Sequence, residues 1–124
     1  MTWLMVALGG ALGSVGRYGI GLAFERLVTF PLGTLVVNVL GSIIIGICAG
    51  IFDLDQKSRP AALFLMVGFC GGFTTFSTFS LNTLDLMEHH AWLKAGGNIF
   101  LSVSLCMFGT WLGFVLGRAF KNSG

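Results

Sequence analysis

The chain has 124 residues, 55% of them hydrophobic and only 10% charged, with a formal net charge of +2 and a mean hydropathy of +0.89. An ordinary soluble domain carries about 25% charged residues, so this composition excludes one and predicts an integral membrane protein. The small, dispersed positive charge excludes a nucleic-acid-binding surface, which needs a clustered basic face.

Each membrane crossing takes roughly 20 mostly apolar residues, so the length accommodates four helices. They are predicted over residues 3–24, 32–52, 61–84 and 95–120, as one all-α transmembrane domain without a soluble module or internal repeat. The first begins at Met1-Thr2-Trp3 without the basic section of a signal peptide, and no small-residue cleavage site follows, so it is expected to be retained. Arg17 lies inside this span, roughly 20 Å along the helix from Trp3. Two readings stand for it: a side chain snorkelling to the interface, or a charge that draws anions into a vestibule. Trp3, Tyr18 and Trp92 suit interfacial anchors.

Pro31 is well placed to open the second helix. Thr34, Asn38 and Ser42 follow at four-residue spacing and share one face. Asn38 is the costly member, because a carboxamide at membrane depth must find partners for its donors and its acceptor. Interhelical glue would explain Asn38 alone; its polar company favours a pathway. A short link from Asp53 to Pro60 leads to the third span.

That third span carries Gly71-Gly72-Phe73-Thr74-Thr75-Phe76-Ser77-Thr78-Phe79-Ser80 near its middle. A lipid-facing helix has no use for paired glycines and clustered hydroxyls there. Loosened backbone at membrane depth is tolerated only where protein buries it or water reaches it, and such breaks recur where transporters hold ions. A break is expected near Gly71–Thr75, with glycine giving backbone freedom and threonine a cap for the next helix. Carbonyls ending the first half would suit a cation, and amides opening the second half an anion. Phe76 and Phe79 lie on one helical side. Core packing is the plain explanation of that spacing; the sharper one is that ring edges, which carry partial positive charge, face an anion.

The fourth span places Asn98 and Ser102 four residues apart, and Gly109, Gly113 and Gly117 on one close-packing face. Gly9 and Gly13, and Gly46 and Gly50, repeat the pattern on the first two helices. Cys48, Cys70 and Cys106 lack ligand spacing and read as small hydrophobes, and His89 and His90 fall in a loop. No Asp, Glu or Lys occupies the middle of any span, which weighs against a proton-coupled pump and for passive conduction. Weak, multiple neutral donors are what conduction needs. Basic residues are nearly balanced, with Lys57, Arg59, Arg118 and Lys121 on one side and Arg17, Arg26 and Lys94 on the other. The balance permits insertion both ways; a single decisive loop charge that sets one topology is equally compatible with it.

Three ordered motifs carry a resemblance. Gly9-Gly10-Ala11-Leu12-Gly13 leading to Arg17-Tyr18, then Gly33 to Gly41 with Thr34 and Asn38, then Gly71 to Phe79, resemble the Fluc (CrcB) fluoride channel family over nearly the whole chain. The resemblance implies a non-enzymatic channel of the bacterial inner membrane that passively exports fluoride. It further implies an antiparallel, dual-topology homodimer with a structural sodium ion at its centre, held by the carbonyls of Gly71 and Thr74. Carried over by motif, Phe76 and Phe79 face fluoride, Asn38 lines the pore, Ser77, Thr78 and Thr34 lie beside them, and Arg17 stands near the aqueous mouth. Ser102 and Asn98 continue the polar track on the fourth helix, where Asn98 departs from the tyrosine of some members. The alternative class is a small dual-topology multidrug exporter, which relies on a glutamate in its first helix; residues 3–24 contain none. A non-transporting assembly subunit would leave the polar third span unexplained.

Overall fold

The computed structural model describes residues 1–25, 30–53 and 59–124. The chain forms helices α1 (Thr2–Phe24), α2 (Leu32–Phe52), α3 (Pro60–Ala62), α4 (Gly71–Phe73), α5 (Phe76–Glu88) and α6 (Trp92–Ser123). A π-helical stretch, Leu63–Cys70, joins α3 to α4. The run from Pro60 to Glu88 is thus the predicted third span, ending four residues later than expected. The fourth helix is longer at both ends than residues 95–120. Arg26, Asp55 and Lys57 lie outside the described residues.

Among the described residues, three helical runs are long and apolar enough to cross a membrane: Leu32–Phe52, Pro60–Glu88 and Trp92–Ser123. The predicted first span forms α1, whose 23 residues reach about 34 Å at 1.5 Å per residue. It is not among the three. Its glycines and Arg17 dilute the apolar character that the other runs keep.

Two close helix pairings organise the fold. α2 lies along α6, and α1 lies along the Leu63–Cys70 stretch and α4. Both depend on absent Cβ atoms. A Cβ on Gly113 would overlap the Ile43 carbonyl and come 3.0 Å from the Ile47 nitrogen, and one on Gly50 would come 2.7 Å from the Arg118 nitrogen. On α1, a Cβ at Gly9 or Gly13 would come 2.8 Å from the backbone nitrogen of Phe69 or Phe73. The glycine faces read from sequence are therefore contact faces, as close backbone packing in lipid requires.

The buried core is small. Val37 and Asn98 are the largest side chains fully enclosed, and Cys48, Cys70, Phe73 and Ala95 are also buried. Large apolar side chains along α1 and α6, such as Leu12, Val15, Phe100 and Trp111, are exposed. Exposed apolar surface on this scale fits lipid or a further protein chain. Trp3, Tyr18 and Trp92 are exposed too, as anchors at the interface would be. At one end Lys121 of α6 pairs with Asp53, just past α2, and Arg118 lies over the Phe114 ring at 5.0 Å.

Candidate functional site: a capped helix break beside an uncharged groove

The third span breaks where the sequence led us to look, but not at its glycines. Gly71 and Gly72 stay helical in α4; the extended residues are Thr74 (φ −85°, ψ 156°) and Thr75 (φ −151°, ψ 114°). Gly72 has another reason to be glycine. A Cβ there would stand 2.5 Å from the Gly10 carbonyl oxygen of α1. Gly71 faces open space: among the described residues, none beyond its own helix comes within 4 Å of where its Cβ would be.

Asn38 closes the break. The Thr75 N–H, turned away from the helical ladder, donates to Asn38 Oδ1 at 2.8 Å, and Asn38 Nδ2 donates to the Thr75 carbonyl at 3.2 Å. One carboxamide thus satisfies both backbone groups of the residue at the gap, as buried or half-buried backbone demands. The next residues restart the helix: Thr75 Oγ1 accepts from the Thr78 N–H at 3.2 Å, an N-cap. On the other side of the gap, the Thr74 hydroxyl and N–H both donate to the Cys70 carbonyl, at 2.8 and 3.0 Å. Arg17 donates from Nε to the Gly72 carbonyl at 3.0 Å. Neither expectation for Arg17, snorkelling or vestibule charge, anticipated a direct bond to the backbone of the break.

Beside the break runs a groove of about 430 Å3, lined by Asn38, Ser42, Thr74, Thr75, Phe76, Phe79 and Ser102 among others. None of the described residues lining it is charged. Phe76 is 79% exposed, so it is not a core side chain of the single chain. Its ring lies 5.4 Å from that of Phe79, centroid to centroid, at a 44° tilt. Core packing therefore does not account for Phe76 within one chain, whereas Phe79 is half-buried. The Gly71 residue and Thr74 border the same groove.

Other predicted positions fall outside it. Thr75 Oγ1 lies 3.2 Å from Ser77 Oγ and donates to Thr78 Oγ1 at 3.1 Å, so Ser77 and Thr78 surround the cap rather than line the groove. Asn98 is 2% exposed and does not line the groove. Its Nδ2 donates to Thr83 Oγ1 at 2.9 Å, and Ser102 Oγ donates to its Oδ1 at a long 3.4 Å. Thr34 accepts from Asn82 Nδ2 at 2.9 Å, across from α5, in a second cavity of about 580 Å3 that also has Tyr18, Glu25 and Asp85 in its walls. Sequence reasoning missed Asn82 and Thr83. Their positions were legible, but nothing local pairs Thr83 with Asn98 or Asn82 with Thr34.

Comparison with known proteins assigns the chain to a family. Residues 4–114 match the model of the family described as CrcB-like protein, Camphor Resistance (CrcB). A protein of Opitutus terrae named "Fluoride-specific ion channel FluC" is 49% identical over 118 residues, covering 91% of this chain and 89% of the relative. Proteins of the same name from Rhodospirillum rubrum and Methylocella silvestris are 46% and 43% identical, covering 100% and 98% of this chain and 99% and 97% of those relatives. With three apolar runs able to cross a bilayer and a match over nearly its full length, the chain is a multi-pass membrane protein that belongs to the CrcB family.

Proposed function

We propose that the protein is a passive, fluoride-selective channel that exports fluoride across the bacterial cytoplasmic membrane and so confers fluoride resistance. The observation that carries this reading is the helix break closed by Asn38 beside Phe76 and Phe79, in a groove lined without charge. A small anion entering such a groove trades water for ring edges, hydroxyls and carboxamide hydrogens. Each is a weak donor, so the ion is held without a deep trap. A Lys or Arg there would bind the anion too long to conduct it. The multidrug-exporter alternative loses its support, since the relatives bear a channel's name over the whole length of the chain.

Phe76, Phe79, Asn38 and Ser102 would form the pathway. Ser77 and Thr78 support it by setting the cap at Thr75, Asn98 by holding Ser102, and Thr34 by tying α2 to α5. Arg17 fixes the far side of the break and brings positive charge near it.

The functional unit in this reading is an antiparallel homodimer. The open groove and the exposed Phe76 ring support a second copy, and near-balanced basic residues support dual insertion. The carbonyls of Gly71 and Thr74 suit a structural sodium ion, a hard cation that takes oxygen ligands. Two carbonyls from one chain leave such an ion incompletely surrounded, and an equivalent pair from the partner would complete the set.

Growth provides the test. In a bacterial host stripped of fluoride export and grown in mildly acidic medium with fluoride, where hydrogen fluoride enters uncharged and ionises inside, the protein should restore growth. Failure to restore growth at verified membrane expression would refute the reading. Several lysines added between Asp53 and Pro60 should force one orientation and abolish rescue; full rescue by that variant would refute the antiparallel dimer.

A further inference from the structure

The groove carries a second chemistry. Met66 and Cys70 stand about one turn apart on the Leu63–Cys70 wall, and Cys106 and Met107 are neighbours on α6; all four line the same 430 Å3 groove. Half of the chain's three cysteines and five methionines therefore line one groove. Cys70 is nearly enclosed, Cys106 is half-buried and Met107 is exposed.

Thiol and thioether sulfur is polarisable and selects soft cations such as Cu(I) over hard ones. Among the described residues no group of three His, Cys, Asp or Glu side chains is assembled, so a conventional divalent centre is not the match. A monovalent ion on a thiolate forms a neutral pair, which avoids the cost of holding a net charge in an apolar groove. Thioethers add soft donor atoms with no proton to lose.

We propose that the groove is a binding site for a soft monovalent metal ion, held by Cys70 and Cys106 with the thioethers of Met66 and Met107, and that an ion bound there closes the anion pathway. The proposal rests on reading the groove as that pathway. Binding exchanges a thiol proton for the metal: R–SH and Ag+ give R–S–Ag and H+. The S–H bond breaks, the S–Ag bond forms and the proton leaves to water in the pathway. No oxidation state changes.

Silver nitrate is the probe, added to the purified full-length protein in chloride-free medium so that silver stays in solution. Two quantities are read together: silver retained per chain after gel filtration, and fluoride efflux from liposomes with and without silver. The wild type should retain silver and lose efflux by roughly tenfold or more, as expected for an obstructed pore. Cys70→Ala combined with Cys106→Ala should retain no silver at the groove, and its efflux, relative to its own silver-free rate, should not respond. Should that double variant fail to assemble, Met66→Leu with Met107→Leu should weaken silver retention instead. Cys48→Ala, at a position that does not line the groove, should behave as wild type. Equal silver retention by the wild type and the double alanine variant would overturn the site. Specific retention with undisturbed efflux would overturn the closure. If the silver-free protein releases no fluoride, the channel reading fails, while the retention comparison still decides the sulfur site.

Discussion

Replacing Asn38 by alanine tests how the break is held. The change removes the acceptor for the Thr75 N–H (2.8 Å) and the donor to the Thr75 carbonyl (3.2 Å). It leaves both backbone groups at membrane depth without the partner that crosses from α2. A lost intramolecular hydrogen bond costs about 0.5–1.5 kcal/mol, and a group left unsatisfied about 1–3 kcal/mol. For two bonds and two backbone groups these become about 1–3 and about 2–6 kcal/mol; the groove lets water reach one side, so the total should fall between, at about 2–4 kcal/mol. Denaturant unfolding in detergent reads this loss directly, and fluoride efflux from liposomes should fall in parallel. Asn38→Asp separates holding the break from handling the ion. Its carboxylate still accepts from the Thr75 N–H but cannot donate to the Thr75 carbonyl, and it sets negative charge in the groove. That variant keeps one of the two bonds but sets an unpaired charge in an apolar groove and against the Thr75 carbonyl. It too should be less stable than the wild type, and it should conduct less than Asn38→Ala. Unchanged stability in Asn38→Ala would refute the account of the break, and wild-type efflux in Asn38→Asp would refute the account of the groove.

Phe76→Ile keeps an exposed apolar side chain but removes the ring edge; efflux should be nearly abolished with the assembly intact by size-exclusion chromatography, and unaltered efflux would remove the ring from the pathway. Gly113→Ala drives a Cβ into the Ile43 carbonyl and should separate α2 from α6, costing about 1–3 kcal/mol in detergent unfolding; a neutral result would show that the close approach is not required. Asp53 is held below the usual carboxylate range first by its hydrogen bond to Lys121; desolvation opposes this, and the positive charges of Lys121, Arg118 and Arg59 add to the lowering. Its folded value lies below its unfolded one, so its contribution is present at neutral pH and fades as acid takes the pH down through the folded value. Thermal melting of the wild type should therefore converge on that of Asp53→Asn in acid, and a constant difference across pH would refute the linkage.

Much of the fold could be read from the chain because lipid limits the options. Apolar runs, their lengths and the glycine faces at Gly9, Gly46 and Gly113 follow from local pattern alone, and all appear as helices and contact faces. The break falls within the expected Gly71–Thr75 region, at its threonine end, with Thr75 as the cap of the next helix. Gly71 and Gly72 stay helical, and Gly72 is needed bare because a Cβ there would meet the Gly10 carbonyl of α1. The gap falls at Thr74–Thr75 because Asn38, 37 residues earlier, takes the Thr75 N–H from the ladder. No local signal carries that competition. The same limit hid the Arg17 bond to the Gly72 carbonyl and the Thr83 partner of Asn98. Polar residues in a membrane announce that they need partners, and only the packed structure says which.

The central claim meets its most direct test in liposomes holding the purified protein, with fluoride and chloride release followed in parallel by ion-selective electrodes. The account predicts fast fluoride release, no chloride release and no requirement for a proton gradient. Silence toward fluoride from folded, assembled protein, or equal release of both anions, would contradict it.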